Sequence, residues 1–223
     1  MTAHIHEPEL PPHGLGALLG LPERPRGLVL FAHGSGSSRS GPRNTLVARE
    51  LGRAGFATLL SDLLTPEEAQ DRRKVFDIHL LAERLLEAVR RARGDPRTDR
   101  LSFGLFGAST GAAAALVTAA EAPEEVDAVV SRGGRPDLAG PALPRVLAPT
   151  LPVVGGLDEP VIELNRLAMR QMTCEVALEI VPGAGHLFEE PGTLGRVVEL
   201  AAARFGRHLV APPEDPASDE EAR

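Results

Sequence analysis

Short runs of apolar, often β-branched residues alternate along the chain with longer runs in which apolar positions recur every three or four residues. The short runs lie at 28–32, 57–60, 101–106, 126–130, 152–154 and 176–181. Helical spacing occupies 43–54, 77–93, 110–121, 159–172 and 192–207. Several short runs are apolar throughout, as expected of parallel strands covered on both faces. Their alternation with helices predicts βαβ units in an α/β fold: a doubly wound, mostly parallel sheet with helices on both faces. Residues 14–21 are read as an antiparallel edge strand or hairpin, and His4-Ile5-His6 as part of a frayed terminus. With neither repeat nor linker in between, residues 1–209 are expected to form a single domain.

Composition changes this picture only at the end of the chain. The net charge is −7, and residues 212–223 supply −4 of it, five acids against Arg223, with three prolines. Residues 210–223 are therefore expected to be an acidic, disordered tail. The acidic balance and an aromatic set of seven Phe without Trp or Tyr speak against nucleic acid as a partner. No run has the length of a membrane span, and the first residues lack a basic and apolar leader, so a cytoplasmic protein without a membrane partner is expected. The single cysteine, Cys174, excludes an internal disulfide and a cysteine-based metal cluster.

Candidate chemistry gathers at the ends of the predicted strands, where an open α/β sheet binds its ligands. Gly107-Ala108-Ser109-Thr110-Gly111 follows one apolar run and precedes an alanine-rich helix. Strand, G-x-S-x-G and helix in succession make a nucleophile elbow, a strained turn that holds a serine hydroxyl above the sheet. Asp158 follows the run at 152–154 and His186 follows the last strand. The chain order of serine, acid and histidine is that of the α/β-hydrolases. In those roles His186 takes the hydroxyl proton and Asp158 fixes the imidazole tautomer. Backbone N–H groups of Ser35, after the first parallel strand, and of Thr110 are the candidate oxyanion donors. Arg132 is placed at the mouth of the site as a candidate clamp for a substrate carboxylate or phosphate, or else in a loop salt bridge, with Asp137 as a candidate partner. Arg39 and Arg43 are further candidates for the clamp. Leu187 and Phe188 are candidate apolar wall residues, His33 is a loop-holding residue, and no metal site is expected.

The chain resembles the α/β-hydrolase superfamily, in particular its small lidless dienelactone-hydrolase-like members. The resemblance runs over about residues 27–207 through His33-Gly34-Ser35-Gly36, Gly107 to Gly111, Gly155 to Asp158 and Gly185-His186. It implies hydrolysis of carboxylic esters without a cofactor, by a Ser109–Asp158–His186 triad; small or medium esters are expected because the chain is short of lid material, with an acyl-enzyme formed on Ser109, in a monomer or homodimer. The twenty residues 131–150, where large lids are often inserted, are too few for one. Dienelactone hydrolases proper carry cysteine in the elbow, whereas this chain has Ser109, so a general serine esterase fits better than a dienelactone hydrolase in the strict sense. The alternatives are a thioesterase or acyltransferase using the same residues, or a catalytically silent binding or sensor protein on the same fold.

Overall fold

The apolar runs pair into one nine-stranded sheet in a computed structural model that describes residues 4–210. In chain order the elements are β1 (His4–His6), β2 (Glu9–Leu10), β3 (Leu15–Leu21), β4 (Leu28–Ala32), α1 (Pro42–Arg53) and β5 (Ala57–Ser61). Then follow α2 (Arg72–Val75), α3 (Ile78–Arg93), β6 (Phe103–Ala108), α4 (Thr110–Glu121) and β7 (Ala128–Arg132). The last are β8 (Thr150–Gly155), α5 (Glu159–Met169), β9 (Glu179–Val181) and α6 (Thr193–His208). The strand order is β1-β3-β5-β4-β6-β7-β8-β9, with β2 beside β3. Strands β5 to β9 run parallel, and β3 and β1 are antiparallel additions.

Alternate residues of the central strands enter two separate cores, the period of two that a pleated strand imposes. Leu28, Leu30, Phe103 and Leu105 face the layer of α3 and α4, while Val29, Phe31, Phe106 and Val130 face that of α1 and α6. Helix α4 is buried along its whole length from Thr110 to Ala120, so alanine at 112–115 keeps the helix thin enough to lie between the sheet and α3. From β4 the chain steps to β5 on one side and, for β6, to the other. The topological switch point thus lies between the ends of β4 and β6.

Two expectations need correction. His4–His6 is not frayed but a strand paired antiparallel with Leu19 to Leu21, and the strand at 15–21 is therefore not at the edge, although its hairpin with Glu9–Leu10 agrees with the other reading of that segment. The pairing of β1 is made by backbone groups while all three of its side chains stay exposed, so no hydrophobic pattern announces it. Between β7 and β8 the expectation of no large cap holds: the chain folds into 3-10 turns over Pro136–Arg145, packed on α4 and α5. The acidic tail lies outside the described residues. No helix among them is long and apolar enough to cross a membrane.

Candidate functional site

Ser109 adopts φ 51° and ψ −119°, a conformation that costs a non-glycine residue about 1–3 kcal/mol and persists only where the surroundings impose it. Here three backbone bonds do so. Ser109 N–H donates to the Arg132 carbonyl at 3.2 Å, and the Ser109 carbonyl accepts from Arg135 N–H and Ala112 N–H, both at 3.1 Å. The flanking glycines allow the turn to close: a Cβ at Gly107 would meet the backbone of Ala112, and one at Gly111 would run into the Ala32 carbonyl. The elbow is therefore held between β4 and β7, at the switch point.

Asp158 stands at the N-cap of α5, where an aspartate ordinarily accepts a helix amide. Its carboxylate makes no such bond. Instead Oδ2 lies 2.6 Å from His186 Nδ1, with the Asp158 side chain 14% exposed. Glu159 takes the first turn of α5, where an acid suits the helix dipole. The His186 loop and the Asp158 loop are tied by Leu157 N–H to the Ala184 carbonyl (2.9 Å) and Gly156 N–H to the Val181 carbonyl (2.8 Å). Gly133, at φ 52°, lies against the imidazole, with the ring 3.6 Å from where its Cβ would be.

Ser109, His186, Ser35, Arg132 and Leu187 line one cavity of about 240 Å³. It adjoins a larger groove of about 720 Å³ through shared residues of the loop 34–43. Ser35 N–H donates to Thr110 Oγ1 at 3.0 Å, so one of the two expected oxyanion donors is engaged by the side chain of the other. Phe188 does not line this cavity; it is 2% exposed and belongs to the core of the α1–α6 layer. His33 holds its loop: Nε2 accepts from Leu63 N–H at 3.2 Å, leaving Nδ1 as the donor to the Gly34 carbonyl at 3.1 Å. Burial lowers its pKa below 6.5, in keeping with this neutral tautomer. Cys174 contacts Thr150, at the opposite end of β8 from the site.

The loop salt bridge with Asp137 belongs to Arg135, at 2.7 Å, and not to Arg132. Arg132 is 9% exposed, and its Nη2 donates to Asn44 Oδ1 at 3.4 Å while Nε and Nη1 have no partner. Burial, with Arg43 beside it, pulls its pKa down to about 10, which leaves the guanidinium charged at neutral pH. Arg43 pairs outward with Glu189, and Arg39 pairs with Asp62. The sequence reading passed over Asn44 and Asn165. Asn165 is fully buried on α5 and donates to the Gly134 carbonyl at 3.1 Å, fixing the turn after β7. Both asparagines occupy the apolar face of an amphipathic helix, and that misfit is the signal by which a sequence discloses them. Among the described residues no group of three or more His, Cys, Asp or Glu is placed to hold a metal.

Known proteins of the same build extend these observations. The dienelactone hydrolase of Anabaena variabilis superposes with a TM-score of 0.89 at 52% identity, covering 93% of this chain and 98% of that one. Est1E of Butyrivibrio proteoclasticus shares the fold with a TM-score of 0.70 at 16% identity, over 92% of this chain and all of that one. Two Mycobacterium tuberculosis proteins named "Putative phosphoribosyl transferase" are each 58% identical over 194 residues, 87% of this chain but 44% of theirs. The chain thus spans less than half the length of these curated relatives. The profile of the dienelactone hydrolase family matches residues 15–209, and to that family the chain belongs.

Proposed function

We propose that the protein is a serine hydrolase of small or medium carboxylic esters, with Ser109 as nucleophile, His186 as general base and Asp158 as the residue that orients the histidine. The observation that carries this reading is the 2.6 Å His186–Asp158 contact, made by a carboxylate that forgoes its helix cap, with His186 and the strained Ser109 lining one cavity. In the proposed reaction Ser109 Oγ attacks the ester carbonyl carbon while His186 accepts the hydroxyl proton. The tetrahedral oxyanion draws on Thr110 N–H, at the start of α4, and on Ser35 N–H once that amide turns from the Thr110 hydroxyl. Collapse breaks the C–O bond, and His186 returns the proton to the departing alkoxide. Water, deprotonated by the same histidine, then releases the acid and restores Ser109.

Thioesters and other acyl acceptors use the same steps, whereas a silent binding protein has no use for the strain at Ser109. Phosphoribosyl transfer, in the name of the mycobacterial relatives, refers to proteins about twice this length, and the site described here favours acyl transfer. The test is labelling by a fluorophosphonate together with an acyl-chain series of 4-nitrophenyl esters. Stoichiometric labelling is expected, and Ser109→Ala is expected to abolish it and to lower ester turnover about 10³-fold or more. Labelling that persists in Ser109→Ala would sink the assignment.

A further inference from the structure

Asparagine is a poor fit for the inner face of a helix, yet Asn44 lies there on α1, in line with Val47, Ala48 and Leu51 and only 4% exposed. A buried amide is tolerated where both of its ends find partners. One end does. A guanidinium only donates, so the atom of Asn44 that faces Arg132 is the carbonyl Oδ1, which accepts from Nη2 at 3.4 Å. That bond turns Nδ2 the other way. Among the described residues Nδ2 finds no acceptor.

The unpartnered nitrogen is within reach of a ligand. Nε and Nη1 of Arg132 are closed to solvent, whereas Nδ2 of Asn44 keeps solvent contact, and Asn44 lines the cavity of about 240 Å³ together with Ser109 and His186. A residue that served only to satisfy Arg132 would do so better as a carboxylate, which answers the cation with charge as well as geometry. The amide answers it with one oxygen and keeps a donor for the cavity. The guanidinium charge also draws electron density from the amide through Oδ1, which strengthens the N–H donors at its far end.

We propose that Asn44 is a specificity-determining residue whose Nδ2 donates a hydrogen bond to an uncharged oxygen of the substrate, an ether, hydroxyl or carbonyl group close to the scissile ester. Arg132 is then a positioning residue, which acts on the substrate only by fixing the orientation of the Asn44 amide. Esters oxygenated near the reacting carbon are preferred over hydrocarbon esters of the same shape. The hydrocarbon analogue leaves the buried N–H without a partner, and a site built to bond an oxygen rejects an analogue that lacks it. The donor itself rests on the placement of Asn44; that its ligand is an ester rests on the acyl-transfer reading above.

Two measurements separate those claims. In the first, kcat/KM is compared within two pairs of esters that differ by one oxygen in place of one methylene. On the acyl side the pair is 4-nitrophenyl methoxyacetate and 4-nitrophenyl butyrate; on the alcohol side it is 2-methoxyethyl butyrate and butyl butyrate. The decisive variant is Asn44→Asp, whose carboxylate still accepts from Arg132 but has no N–H to give. Its thermal midpoint is expected at or above that of wild type, while the oxygen-to-methylene ratio falls about three- to tenfold in at least one pair. The pair affected identifies the side of the ester that Asn44 holds. Unchanged ratios in both pairs make Asn44 a purely structural partner of Arg132 and overturn the proposal. The second measurement needs neither turnover nor a variant of Asn44. Asn44 and Asn165 are the two asparagines of the chain, so Ser109→Ala labelled isotopically at asparagine nitrogen shows their side-chain amides alone in an NMR spectrum. Asn165 is fully buried and bonded to the Gly134 and Val161 carbonyls, and its slower exchange with water tells the two apart. The methoxy esters are expected to shift the Asn44 signal and the matched hydrocarbon esters to leave it in place. A signal indifferent to all four overturns the proposal, and this titration decides if Asn44→Asp does not fold. A shift in a protein whose wild type turns over no ester leaves the donor standing and refutes acyl transfer.

Discussion

At the scale of single residues the informative groups are those that decline their local role. Asp158 occupies a capping position yet bonds to His186, and Ser109 holds a backbone conformation that glycine would adopt at less cost. This supports an expectation for Asp158→Asn. Asparagine caps a helix as well as aspartate does, so stability should be little changed. Its amide cannot hold the imidazole in the tautomer that accepts the Ser109 proton, so kcat should fall about 10⁴-fold. Thermal unfolding alongside ester kinetics checks both halves; a variant that unfolds early and keeps its turnover would contradict both. Ser109, Asp158 and His186 were legible in the sequence because each follows a strand whose apolar run is plain. Arg132 was legible as a candidate, but its partner was not. Asn44 lies 88 residues away, and no local pattern records which side chains two distant segments bring together.

Elements were read almost to their ends wherever burial imposes a period, as in α1, α3, α4 and α6. Reading failed where backbone pairing or proline sets the conformation: β1 has only exposed side chains, and the 3-10 turns at Pro136–Arg145 contain Pro141 and Pro144. Helix α4 shows what the pattern omits. Its alanine run reads simply as a good helix former, while the structure makes small size the requirement, since Ala112 to Ala115 are completely buried. Ala114→Leu should therefore destabilise the fold by about 1–3 kcal/mol through overpacking, despite leucine's good helix propensity. Chemical denaturation measures this, and a neutral or stabilising result would show that the layer between sheet and α3 has room to spare.

For the molecule as a whole, His33 and Asp95 are among the groups that set the response to acid, and His208, its pKa also lowered by burial, shares the window of His33. The folded protein keeps His33 neutral by burial, so its pKa lies below 6.5, while the unfolded chain binds that proton near 6.5. Stability is then complete above about pH 6.5 and declines as the pH falls below it, by up to about 1.4 kcal/mol per pH unit for this group. Asp95, held down to about 2 chiefly by its side-chain bonds with Arg97, adds a second loss between 3.8 and 2. The midpoint of thermal unfolding should accordingly drop between pH 7 and 5, and His33→Gln should flatten that part of the curve. An equal slope in the variant would assign the acid response to other groups.

The turn after β7 carries more than one duty. The Arg132 carbonyl and the Arg135 amide grip the elbow, Gly133 lies against the imidazole, and the Arg132 guanidinium lines the cavity. Support of the elbow and lining of the cavity thus share four consecutive residues. A lineage diversifying on this scaffold would find that stretch nearly closed to exploration, because most changes there disturb the elbow along with selectivity. Novel preferences should arise instead along the loop 34–43 and the groove beyond it, which line the cavity without backbone bonds to Ser109. A saturation library scored separately for abundance and for turnover would show this as two neighbouring regions of opposite tolerance.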